Sequence, residues 1–106
     1  MRKLIAEMAG CVKRSEIFGL ATIISRNGSA PRAVGAKMLV RRDGSIAGTI
    51  GGGALEAQVI QLALEAVSKG DTVIREFQFS GADAASMDAI CGGRVEVLVE
   101  TIDPHE

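Results

Sequence analysis

Three short segments hold the residue types that could do chemistry. In one, Gly48-Thr49-Ile50-Gly51-Gly52-Gly53 runs straight into a helical pattern beginning at Ala54. Glycines let a backbone approach an anion closely, and the unpaired N–H groups of a helix start point toward it, so a phosphate suits this place. No Lys-Ser or Lys-Thr pair follows the last glycine, which excludes a P-loop, and Glu56 stands where a dinucleotide fingerprint has its third glycine. Glu56 falls in the first helical turn, where the dipole favours a carboxylate. There it either caps free amides or accepts hydrogen bonds from the ring N–H donors of a heterocycle such as a pterin or purine. Read without a ligand, the same three glycines make a tight strand-to-helix turn.

A second segment, Gly28-Ser29-Ala30-Pro31-Arg32, offers a hydroxyl, a backbone locked by proline, and a guanidinium able to grip a phosphate or carboxylate through two parallel hydrogen bonds. Arg32 is the residue most suited to an anion, and the alternative for it is an exposed loop arginine. In the third, Cys91-Gly92-Gly93, two glycines leave a thiol uncrowded before a strand, where it could meet a soft metal or carry sulfur; a lone cysteine is otherwise a small apolar residue. Cys11 falls on the apolar side of the first helix and is expected in the core. The two cysteines form no metal-ligand spacing and the single histidine is His105, so neither a zinc site nor a Ser-His or Cys-His pair is available.

These segments must be positioned by a small scaffold. The 106 residues allow one domain, 1–106, and a 47% hydrophobic content with only three phenylalanines as aromatics calls for an aliphatic core. Twelve basic against thirteen acidic residues leave no basic face for a nucleic acid. No apolar run reaches the ~20 residues of a membrane span, and no signal peptide is visible, so the cytoplasm is the expected compartment. The excess of small and apolar residues suggests a surface covered by a partner or a second copy, and a homodimer is expected.

Leu4, Ile5, Met8, Ala9 and Val12 recur at helical spacing within Arg2 to Arg14, predicting an amphipathic helix. Phe18 to Ser25 reads as a strand buried on both faces. Ala36 to Arg42 and Ser45 to Thr49 flank Asp43-Gly44, a pair suited to a two-residue type I′ hairpin turn. Leu55, Val59, Leu62 and Ala66 predict a second helix ending at Gly70, and Asp71 to Phe79 and Arg94 to Ile102 read as further strands. Ser80 to Ile90 fits either a short helix or an irregular loop. The expected fold is α+β, a mixed layer of about five strands with two main helices, not a parallel doubly wound sheet.

Taken in order, Gly28-Ser29-Ala30-Pro31-Arg32, Gly35 to Val40, Asp43-Gly44, Gly48 to Glu56 and Cys91 to Val97 resemble the N-terminal domain of the XdhC/CoxI family, over roughly Ala21 to Glu100. The resemblance implies a maturation factor for molybdenum hydroxylases such as xanthine and carbon monoxide dehydrogenases. Such a factor binds the molybdenum cofactor (molybdopterin) as cargo, protects it and hands it on, without catalysing a reaction. It implies partners as well: an apo molybdenum hydroxylase, a cysteine desulfurase, and a separate Rossmann-like chain, since the family's Rossmann-like C-terminal domain is absent here. Ala30 replaces a threonine frequent in the family pattern. On this reading Thr49, Gly51, Gly52 and Gly53 hold the cofactor phosphate, and Ser29 and Arg32 close over it. Glu56 or Cys91, with Gly92 and Gly93, then approaches the pterin or the metal. The rival readings are a small nucleotide-binding or oxidoreductase module, and an oligomerisation domain in which the glycine segments are only turns.

Overall fold

The computed structural model describes residues 1–27, 34–78 and 93–105. Within them the order is α1 (Arg2–Lys13), β1 (Phe18–Asn27), β2 (Lys37–Arg41), β3 (Ile46–Gly48), α2 (Gly53–Lys69), β4 (Val73–Gln78) and β5 (Arg94–Ile102). The strands form one sheet in the order β3-β2-β1-β5-β4, and every neighbouring pair is antiparallel. The α+β expectation with five strands and two helices therefore holds for the described residues. None of their helices is long and apolar enough to cross a membrane.

The helices lie on opposite faces, as two separate clusters of buried side chains show. Ala21, Ile23, Met38, Val40, Val95, Val97 and Val99 of the sheet pack with Leu55, Val59, Leu62, Ala63 and Ala66 of α2. On the other face Phe18, Leu20 and Leu39 pack with Leu4 and Cys11 of α1. The strict alternation of β5, with its three valines buried, puts Glu96, Leu98 and Glu100 on the α1 face. Burying a valine or leucine fully contributes about 1.5–3 kcal/mol, so the α2 face is the main source of stability.

Glycine at two places is a geometric requirement. A Cβ on Gly19 would stand 3.3 Å from Ala63 Cβ and 3.4 Å from Val67 Cγ2, which is how closely the C-terminal half of α2 approaches β1. Gly48 has a φ of 79°, and a Cβ there would fall 2.6 Å from the Lys37 carbonyl oxygen. The end of β3 thus admits no side chain.

Two expectations need correction. The Asp43-Gly44 hairpin is present, but not as a two-residue type I′ turn. Its bonds run from the Gly44 amide to the Arg41 carbonyl (2.9 Å) and from the Arg41 amide to the Ser45 carbonyl (2.8 Å), and Asp43 is not among the positive-φ residues while Gly44 has a φ of 88°. This is the three-residue loop of a type I turn followed by a left-handed glycine. Asp43 prefers it because its carboxylate accepts the Ser45 amide (2.9 Å) and hydroxyl (2.6 Å), an Asx-type closure. The second correction concerns α1. Ile5 and Val12, expected on its buried side, are 58% and 51% exposed, because Leu4 and Cys11 face the sheet and the stripe lies about a quarter-turn away. Cys11 is fully buried, as expected.

Candidate functional site

All three chemistry-bearing segments attach to one end of the sheet. Asn27, the last residue of β1, is in register with Arg94, the first of β5, and Gln78, the last of β4, pairs with the same Arg94. Gly93, buried, precedes Arg94 directly. At the same end the Ile23 amide bonds the Ala36 carbonyl (3.0 Å) and the Gly35 amide bonds the Ile23 carbonyl (2.7 Å), just before β2 starts. Gly48 pairs with Met38 near that start, so the glycine loop after β3 opens there too. Ser29, Arg32, Cys91 and Gly92 lie outside the described residues, as does Ser80 to Ile90. Their flanking residues are what the sheet brings together.

The direction of α2 completes this placement. Its Ala57 and Gln58 line a groove with Phe77, whereas Lys69 lines one with Asp71 and Val73. The helix therefore starts at the Gln78–Arg94 end and finishes over Gly19, where Gly70 closes it in the left-handed conformation with φ 69°. The opposite end of the sheet holds the chain tail, with a His105 ring nitrogen 3.2 Å from the Ser15 carbonyl.

Within the loop Ile50 is fully buried in the α2-side core and pins it, while Thr49 stays exposed. Gly51, Gly52 and Gly53 follow with φ of 136°, 75° and 62°, a path that residues with a Cβ rarely take. Gly52 is the N-cap of α2, and it has no side chain to serve the first-turn amides. Glu56 instead reaches back from within the helix to the N-cap residue itself. Its carboxylate accepts the Gly52 amide at 2.8 Å and the Thr49 hydroxyl through the same oxygen, Oε2, and the Thr49 oxygen in turn accepts the Gly51 amide at 3.1 Å. A carboxylate thus occupies the helix start, the position where an anionic ligand is favoured.

The structure brings Thr49, Gly51, Gly52 and Glu56 into one bonded unit, with Gly53 next in the chain as the first residue of α2 and Gly93 on the same end of the sheet. Sequence reasoning placed these residues but missed the hydroxyl-carboxylate link between Thr49 and Glu56. It also missed Ile50 and Gly48 as the anchors on either side of Thr49. Ile50 was signalled by being the one large apolar residue among glycines and threonine. The 2.6 Å approach of Gly48 to Lys37 leaves no mark in the sequence beyond the glycine itself.

Known proteins resemble the chain at three levels. A curated Escherichia coli K12 protein, the uncharacterized protein YqeB, is 39% identical over 98 residues, which is 91% of this chain but 18% of YqeB. The molybdenum cofactor insertion chaperone PaoD of the same organism is 33% identical over 85 residues, 78% of this chain and 26% of PaoD. A crystal structure from Bacillus halodurans described as a xanthine dehydrogenase (BH1974) superposes with a TM-score of 0.76 at 27% identity, over 92% of this chain and 30% of that one. The chain spans less than a third of the length of each of these proteins. The sequence pattern of the XdhC and CoxI family matches residues 11–78, a stretch containing β1 to β4, α2 and the whole glycine loop, and the chain belongs to that family.

Proposed function

We propose that this domain takes part in the maturation of molybdenum hydroxylases by binding molybdenum cofactor as cargo and releasing it to an apoenzyme, without catalysing a reaction itself. The observation that carries the reading is the glycine loop closed by Glu56, at the sheet end where the other two motif segments are anchored. Kinship with a cofactor insertion chaperone supports the choice of cargo.

The loop suggests how an anionic cargo is accepted. With Glu56 bonded to Thr49 and Gly52, a phosphate entering the same place would meet a like charge, a repulsion of about 4 kcal/mol at 4 Å and an effective dielectric constant of 20. Binding therefore proceeds by exchange: the phosphate takes the Gly52 amide and Thr49 hydroxyl, and the Glu56 carboxylate turns to the ring N–H donors of the pterin. Ser29 and Arg32 close over the phosphate, and Cys91, with Gly92 and Gly93, faces the metal end. Release reverses the exchange. The carboxylate recaptures its loop donors, so the amide and the hydroxyl that the cargo leaves behind are satisfied again.

The test is an equilibrium titration of the purified domain with molybdopterin, run beside nicotinamide and flavin nucleotides. Saturable binding of molybdopterin, weakened in Thr49→Ala and Glu56→Ala, is the expected result. Binding of a dinucleotide with none of molybdopterin would instead establish the nucleotide-binding alternative.

A further inference from the structure

The sheet ends in two unlike edges. At one, β3 is 3 residues long and is contacted by α1. At the other, β4 keeps all 6 of its residues in register with β5, from Val73 opposite Val99 to Gln78 opposite Arg94, without a bulge or a proline. Among the described residues no strand lies beyond β4, so the outward amides and carbonyls of its backbone are open to one. Shortness, bulges and prolines are the usual devices that block strand addition at an edge, and β4 has none of them.

The side chains of β4 alternate between the two faces of the sheet. Arg75 and Phe77 point to the α2 side, where they line a groove of about 460 Å³ with Gln58, Gln61 and Leu62. Ile74, Glu76 and Gln78 point to the other side, and Ile74 is 59% exposed. The two charges on this edge are unmet. Arg75 makes no ion pair among the described residues, and Glu65, the carboxylate that shares its groove, is taken by Lys69 at 3.1 Å. Glu76 stands directly opposite Glu96 of β5, a like-charge pair that repels, and among the described residues no cation pairs with either.

A second copy of the same strand would not meet those charges. Two copies joined edge to edge by a two-fold axis normal to the sheet pair residues of the same face. The registers that keep most of β4 paired then set Arg75 against Arg75 or Glu76 against Glu76. The charges thus act against self-pairing while leaving the edge open to a strand of complementary pattern.

We propose that β4 is the docking edge for an extended segment of a partner protein, which adds to the sheet as a further antiparallel strand. Antiparallel addition continues the pairing of every neighbour in this sheet. The segment sets an acidic residue opposite Arg75, a basic one opposite Glu76, and apolar ones opposite Ile74 and Phe77. Backbone hydrogen bonds supply the affinity, and this side-chain pattern selects the partner. The inference is independent of the cargo reading, since no residue of the glycine loop takes part.

The test is a fluorescence-anisotropy titration of the full chain with the labelled peptide Ser-Thr-Val-Lys-Glu-Ile-Val-Ser, whose Val-Lys-Glu-Ile run lies opposite Phe77, Glu76, Arg75 and Ile74. Saturable binding is expected, weakened about fivefold in Arg75→Glu and recovered when the Glu of the peptide is replaced by Lys. Arg75 is exposed, so the variant should keep its fold, checked by circular dichroism. Of two peptides N-methylated at alternate residues, one should lose binding and the other keep it, because only every second amide of an added strand faces β4. No saturation at millimolar peptide, equal effects of the two methylated peptides, or binding that ignores the charge reversal would each overturn the proposal.

Discussion

Thr49 and Glu56, seven residues apart, are joined by a hydroxyl-carboxylate hydrogen bond that spans the glycine loop and closes it at the start of α2. The same carboxylate oxygen accepts the Gly52 amide, so the loop is held by a side chain inside the helix that it leads into.

Removal of that acceptor should be felt in stability before any ligand is added. Glu56→Ala leaves the Gly52 amide and the Thr49 hydroxyl without their partner, a loss comparable to that of a helix cap, about 1 kcal/mol. Glu56→Gln keeps an acceptor oxygen and should lose less. Urea unfolding of the three proteins measures the order, and equal midpoints would show that the closure contributes nothing.

Gly48→Ala is expected to be far costlier than its size suggests. The new Cβ would stand 2.6 Å from the Lys37 carbonyl oxygen at a φ of 79°, so clash and backbone strain add. A loss of about 2–4 kcal/mol follows from such combined effects. Gly52→Ala tests strain alone, because its φ of 75° and ψ of −176° are a conformation almost confined to glycine, while no atom of the described residues lies within 4 Å of the new methyl. It should lose about 1–3 kcal/mol, and its unfolding curve is compared with that of Gly48→Ala.

Asp43 gives a pH-dependent signal. The Ser45 hydroxyl first, and then the Ser45 amide, hold its carboxyl below the usual aspartate range. A carboxyl depressed on folding contributes stability that is fully present above its unfolded pKa and is lost as pH falls through the folded one. Carboxyl chemical shifts followed by NMR should therefore place the Asp43 midpoint below that of an ordinary aspartate, and Ser45→Ala should raise it. An unchanged midpoint in that variant would remove the assigned cause.

Cys11 should be inert in the folded protein. It is fully buried between α1 and the sheet, with an Arg14 guanidinium nitrogen 3.9 Å from its sulfur. In a Cys91→Ser background, labelling by an aromatic disulfide reagent should proceed at the rate of unfolding. Rapid labelling in native buffer would show that α1 opens independently of the rest.

The sequence made the elements legible where a single physical signal dominated. Val95, Val97 and Val99 alternate with Arg94, Glu96, Leu98 and Glu100 because β5 buries its valine face most deeply, and Gly70 ends α2 because a left-handed residue is needed there. The signal failed where two arrangements share one composition. Asp43-Gly44 suits two turn types, and the choice was made by hydrogen bonds from Ser45 that no local propensity records. Ile5 and Val12 read as core because helical spacing shows that a stripe exists but not which part of it meets the sheet. At the candidate site the residue types were readable, whereas the closure of Thr49 on Glu56 depends on the path of three consecutive glycines and became visible only in three dimensions.

The central claim, that the domain carries molybdenum cofactor at its glycine loop, is tested most directly by purifying it from a host that makes the cofactor. The protein is then denatured under oxidising conditions and the fluorescent pterin product counted. Near-stoichiometric pterin from the unaltered domain, with several-fold less from Arg32→Ala and from Glu56→Ala at equal folded content, is the expected result. Folded domain that yields no pterin, or equal yields from all three proteins, would contradict it.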